Sequence, residues 1–229
     1  DDQTEWIKLP ADEKCVHKNW KARVAGYEEA LKLFNRLDEK SPEFTKFLGV
    51  LKKICTDTNA IAQEKGLDCV LAFVENAHVA GQSCGEVMSA IVTKCLNASR
   101  AKTKEKAMEI IMMYIEIDKH EVVQEELMKG LENKQPKVVY ACVQAFRNAL
   151  EGFGPKVISL KPIVKTLPKL LEDRDKTVRE ETKMLVVEVY RWIGAALKPQ
   201  LANLKPVQLT ELEAEFEKLP PGKPSQTRF

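Results

Sequence analysis

Apolar positions recur along this chain with a helical period, and that pattern itself repeats. With Arg23 as a marker, a small residue follows three positions later, and the pairing returns at Gln63/Gly66, Lys104/Ala107, Val139/Cys142 and Arg179/Thr182. The steps between markers are 40, 41, 35 and 40 residues. Seven positions past the markers stand Ala30, Val70, Ile111, Phe146 and Val186; ten past stand Leu33, Phe73, Tyr114, Ala149 and Val189. Eleven past stand Phe34, Val74, Ile115, Leu150 and Tyr190. These offsets share one face of a helix that advances 3.6 residues per turn. A small residue at the first offset lets a facing helix approach closely. Four columns kept through five units predict an all-α fold, an α-solenoid of about six stacked helical hairpins.

The hairpins can be placed along the chain. A short helix is expected at Pro10–Val16 and a long one at Trp20–Leu37. Ser41 as N-cap and Pro42 at the first helical position open the next, with Phe44, Phe47, Leu48, Leu51 and Ile54 as its apolar stripe. After the break at Asp57–Asn59 come helices at Ala60–Ala77, Cys84–Leu96, Ala101–Ile117, Glu121–Leu131 and Pro136–Phe153. The next, Leu160–Glu172, carries Pro162 and Pro168, which predict a kink or a split. Thr177–Leu197 follows, and Pro206–Leu219 caps the stack. Trp6 and Leu9 are expected to anchor an acidic, irregular start. Pro220, Pro221, Gly222 and Pro224 read as linker, so one domain over 1–219 followed by a flexible segment at 220–229 is expected. The Pro-rich end and the absence of an initiating Met predict a piece of a longer chain. No run reaches the ~20 apolar residues of a membrane span, and no secretory pattern opens the chain.

Charge separates the two edges of such a stack. The loops inside hairpins, at 17–21, 56–60, 99–104, 133–137 and 173–179, total +7 in formal charge, against +2 for the whole chain. The turns between hairpins total zero. One basic edge predicts an elongated site for an acidic partner. The pI of about 8.2 falls short of the roughly pI 9 usual for nucleic-acid-binding domains, which leaves RNA or DNA as a minor alternative. Trp20 stands at the first loop–helix junction; it is either an exposed aromatic anchor or packed beneath the loop. Trp192, deep in an apolar helical pattern, is expected to pack.

Candidate chemistry adds little. Six cysteines without a Cys-x-x-Cys pair read as small buried hydrophobes, and unpaired thiols in that number point to a reducing compartment. Asn97-Ala98-Ser99 is a chance match to a glycosylation acceptor. His17, His78 and His120 lack the spacing of a metal site or catalytic dyad. Neither a phosphate loop nor a nucleophile elbow is present. No enzyme, cofactor or metal is expected.

The run Lys18-Asn-Trp-Lys-Ala-Arg-Val-Ala-Gly-Tyr-Glu-Glu-Ala30 resembles the start of a TOG domain, a module of six HEAT repeats. Asp57–Ala60, Val74–Gly81, Met113–Ile117, Val189–Ile193 and Val207–Leu212 extend the resemblance over nearly the whole chain. It is most similar to the first TOG domain of the Minispindles/ch-TOG family of microtubule polymerases. The resemblance implies binding of one curved αβ-tubulin heterodimer through the intra-repeat loops, and promotion of its addition at microtubule plus ends. It implies a place in the cytoplasm and cytoskeleton, at plus ends, spindle and centrosome. Carried over residue by residue, the contacts fall on Lys18, Trp20, Lys21, Thr58, Asn59, Arg100, Lys102, Lys104, Lys134, Lys137 and Arg179. A general HEAT scaffold binding another acidic protein is the alternative reading.

Overall fold

The computed structural model describes residues 5–228; the first four residues of the acidic start, and Phe229 at the end of the expected linker, lie outside them. Among the described residues the regular structure is entirely helical. One compact unit runs up to Glu126 and a second begins at Leu127. The helices are α1 (Ala11–Lys14), α2 (Trp20–Arg36), α3 (Leu51–Cys55), α4 (Ala60–Asn76), α5 (Cys84–Ala90) and α6 (Ala101–Glu116). They continue with α7 (His120–Gly130), α8 (Pro136–Phe153), α9 (Leu160–Leu171), α10 (Lys176–Ile193) and α11 (Pro206–Glu217).

The repeat is physical. Each marker is the fourth residue of its long helix, and its amide closes the first turn on the N-cap carbonyl. Arg23 donates to Asn19, Gln63 to Asn59, Lys104 to Arg100, Val139 to Gln135 and Arg179 to Asp175. Every residue of the four columns is buried except Leu33 and Tyr190, which are half-buried.

In the first unit the small residues are there for contact. A Cβ on Gly26 would lie 2.7 Å from the Cys15 amide nitrogen, and one on Gly66 would run into Ile54 Cγ2 and lie 3.1 Å from the Tyr27 ring. The rings of Phe34, Phe44, Phe47 and Phe73 form a cluster with centroids 4.8–5.6 Å apart. Such tilted and edge-on aromatic pairs add stability beyond the area they bury. In the second unit, Arg147 on α8 pairs with the buried Glu181 on α10 at 2.7 Å. Tyr190 stacks on Phe216 of α11 at 3.8 Å, and Lys183 reaches Glu211 at 2.9 Å. Trp192 packs as expected: its Nε1 donates to Glu188, and Gly154 leaves room for its ring.

Four expectations need correction. The segment opened by Ser41 is not one helix. A 3-10 stretch, Pro42–Phe47, precedes α3, because three-residue spacing turns Phe44 and Phe47 to the same side, into the ring cluster. The helix expected to reach Leu96 leaves α geometry at Ile91 and finishes in a π turn, Ile91–Cys95, whose five-residue bond runs from the Leu96 amide to Ile91. The chain is not split at Pro162 or Pro168; α9 runs through both. Pro162 lies in the first turn, where its missing N–H would have no helical acceptor, and Pro168 has no N–H to give the carbonyl four residues back. The helix expected to run to Leu197 stops at Ile193, where Gly194 takes φ +58 and a 3-10 segment buries Leu197 and Leu201.

The end of the chain is irregular from Pro220, yet Arg228 returns to the second unit. Its amide donates to the Gly152 carbonyl and its guanidinium lies 5.7 Å from the Phe153 ring centre. All six cysteines are free and buried. Burial first, then Asp12 and Glu29, pushes the Cys15 thiol up to about 12, and burial alone does the same for Cys142.

Candidate functional site

The loops that precede the marker residues share a local design. Six residues before the marker, a side chain accepts the amide two positions on: His17 from Asn19, Asp57 from Asn59, Asn133 from Gln135 and Asp173 from Asp175, at 2.8–3.0 Å. Such Asx-type turns close on themselves without a neighbouring strand or helix. Asn19, Asn59 and Asp175 then cap the helices they precede, accepting from Lys21, Ala62 and Val178. The loops are therefore built, and they present the intervening side chains outward.

In the first unit, the first and second loops are joined. Arg23 donates from Nη1 to the carbonyls of His17 and Lys18, both at 3.0 Å, and from Nε and Nη2 to Asp57 at 2.8 Å. The Asp57 side chain has no solvent-exposed surface, and it also accepts from Tyr27 Oη at 2.7 Å. Burial pushes this carboxyl up, but hydrogen bonds from Arg23, Tyr27 and Asn59 and the Arg23 charge outweigh it and hold it below the usual carboxylate range. Gln63 links the bases of the second and third loops, donating to Cys55 O at 3.0 Å and Lys94 O at 2.9 Å.

Upon this frame, Lys18, Lys21 and Thr58 are exposed, and Trp20, the first residue of α2, is half-buried. Asn59 is half-buried and occupied as a cap. The third loop sorts its three basic residues. Arg100 pairs with Glu64 at 2.9 Å, Lys104 is half-buried, and Lys102 is exposed without an ion pair among the described residues.

In the second unit, the fourth and fifth loops flank a cleft of about 440 Å³ lined by Asn133, Lys134, Pro136, Asp173, Arg174 and Asp175. Lys134 and Lys137 are exposed. Arg179 repeats the Arg23 brace, donating from Nη1 to Asp173 O at 2.8 Å and Arg174 O at 3.0 Å. Its Nε and Nη2 make no hydrogen bond or ion pair to a carboxylate among the described residues, where Arg23 has Asp57, although the Asp175 carboxylate feels the Arg179 charge. Sequence reasoning passed over Arg23, Asp57 and Gln63 as site components, and over the exposed Arg174. The readable signal was the His, Asp or Asn six places before four of the markers.

A family model described as XMAP215/Dis1/CLASP, TOG domain, matches residues 5–216. The chain belongs to this family. It is 56% identical, over its whole length, to Protein mini spindles of Drosophila melanogaster, of which it spans 11%. It is 37% identical, again over its whole length, to Spindle pole body component alp14 of Schizosaccharomyces pombe, spanning 29% of that protein. Among solved structures, it aligns at TM-score 0.86 and 29% identity with a chain from work on tubulin recruitment and assembly by microtubule polymerases with TOG domain arrays. That alignment covers 95% of this chain and 48% of the other. Drosophila melanogaster Mini spindles TOG3 shares the fold at TM-score 0.82 and 23% identity, over 96% of this chain and 99% of that one. This TOG domain thus corresponds to about a tenth of the length of mini spindles.

Proposed function

We propose that this TOG domain binds the αβ-tubulin heterodimer through the loops that open its repeat helices, and that it does so without chemistry of its own. The observation that carries the reading is a set of exposed lysines, without ion pairs among the described residues, on loops whose backbones are internally braced, in a chain 29% identical to one from tubulin-recruiting polymerase arrays. Lys18, Trp20, Lys21 and Thr58 serve as contacts in the first unit with Lys102, while Lys134, Lys137 and Arg179 serve in the second. Asn59, Arg100 and Lys104 belong to the same loops, with Asn59 and Arg100 also committed to holding them. Residues 1–219 act as one binding domain, and 220–229 begin the connection to the rest of a longer protein.

A surface matched to the curved dimer favours that conformer by its differential affinity and releases it as the dimer straightens in the lattice. Several such domains on one chain would raise the local tubulin concentration at a growing plus end. That activity places the parent protein on the cytoskeleton, at plus ends, spindle and centrosome. Size-exclusion chromatography and titration with purified tubulin test the reading. Wild-type protein is expected to form a 1:1 complex. Trp20→Ala is expected to weaken it by about 2 kcal/mol or more, roughly 30-fold. Lys102→Glu is expected to weaken binding while the melting temperature barely moves, since Lys102 is exposed and exposed charges change stability by about 0.5 kcal/mol or less. Normal binding by both variants would remove the loops from the site.

A further inference from the structure

We infer that Arg23 and Asp57 form a positioning clamp that sets the first loop, with Trp20, in register with the second. The inference rests on the tubulin reading above for its functional consequence, and on geometry for the rest. Arg23 cannot serve as a contact residue itself: Nη1 holds the carbonyls of His17 and Lys18, while Nε and Nη2 hold both oxygens of Asp57. The two carbonyls belong to the loop that leads directly into Trp20. The carboxylate belongs to the loop that presents Thr58, and Asp57 accepts the Asn59 amide through the same Oδ1 that meets Nη2. One guanidinium therefore fixes the backbone of one loop to the backbone of the next.

The planar fork matters as much as the charge. A lysine at position 23 would keep the charge and lose the simultaneous bonds to carboxylate and carbonyls, since an ammonium has no fixed fork. The contrast with Arg179 isolates the clamp. There the same two carbonyl bonds are made, six and five residues before the arginine, but no carboxylate occupies the outer fork among the described residues. Arg179 braces its own loop alone, whereas Arg23 braces two.

The test uses the whole chain as it stands. Tubulin affinity is measured for wild type, Arg23→Lys, Asp57→Asn, Trp20→Ala and the Arg23→Lys/Trp20→Ala double variant, well below each melting temperature. Amide exchange is followed in parallel. Arg23→Lys and Asp57→Asn are each expected to lose about tenfold or more in affinity, with faster exchange confined to residues 17–19 and 57–59 and unchanged protection in the middle of α4. In the Trp20→Ala background Arg23→Lys is expected to cost much less, because a misplaced loop has then lost its anchor already. Wild-type affinity in both single variants, or full additivity with Trp20→Ala, would overturn the clamp. If wild-type protein fails to bind tubulin, the functional reading falls, and unchanged exchange at residues 17–19 in Arg23→Lys would overturn the positioning role as well.

Discussion

Asp57 shows how much one side chain can be asked to do. It is enclosed, bidentate to Arg23, bonded to Tyr27 and closed on its own loop. A carboxylate held below its unfolded value contributes stability that is complete above about pH 4 and is lost as pH falls through the folded value. Asp57→Asn keeps the shape and removes the charge, leaving Arg23 without its counter-ion, at an expected cost of about 1–3 kcal/mol. Thermal melts from pH 7 down to 3 check this. The gap between wild type and Asp57→Asn should hold steady from pH 7 to 5 and close in stronger acid; a gap constant to pH 3 would show that the charge is not what stabilises.

Among the helices, close approach decides which glycines are replaceable. Gly26 sits where α2 meets the end of α1, and its virtual Cβ meets backbone at Cys15 that cannot rotate away. Gly26→Ala is expected to destabilise by about 1–3 kcal/mol through overpacking. Gly85 is also helical, in α5, but nothing lies within 4 Å of its virtual Cβ. Gly85→Ala is therefore expected to stabilise by up to about 1 kcal/mol, by restricting the unfolded chain. Urea denaturation of the two variants should move the midpoint in opposite directions. The same reasoning explains α9: a helix keeps two prolines because one lies in the first turn and the other forfeits a single bond.

At the scale of the whole molecule, burial is distributed along the sequence, and the cysteines report it. The six are spread over four of the repeats and all are buried, out of reach of a bulky reagent. A disulfide-exchange reagent such as DTNB is expected to modify none of the six in the native protein at neutral pH and all six in denaturant. Rapid labelling of any one in the native state would show local opening at that repeat.

The sequence by itself determined the repeat, the long helices and the loops between them. Period 3.6 and a step near 40 residues are local properties, and they put the same columns inside wherever the hairpins stack. Asn19, Asn59 and Pro136 declared their helix starts for equally local reasons. The breaks were decided in three dimensions. Whether Pro42–Phe47 becomes α or 3-10 depends on the rings of Phe34 and Phe73, and the π turn at Ile91–Cys95 is the geometry in which Ile91, Val92 and Cys95 are all buried. The loop charges were legible because composition is local. Their division into contacts and braces was not. Arg100 and Lys102 look alike in sequence until Glu64 takes one of them, Arg100, into a direct ion pair. Arg23 and Arg179 occupy the same column and make the same two carbonyl bonds, and only the carboxylate from a neighbouring repeat, 34 residues from Arg23, separates a clamp from a candidate contact.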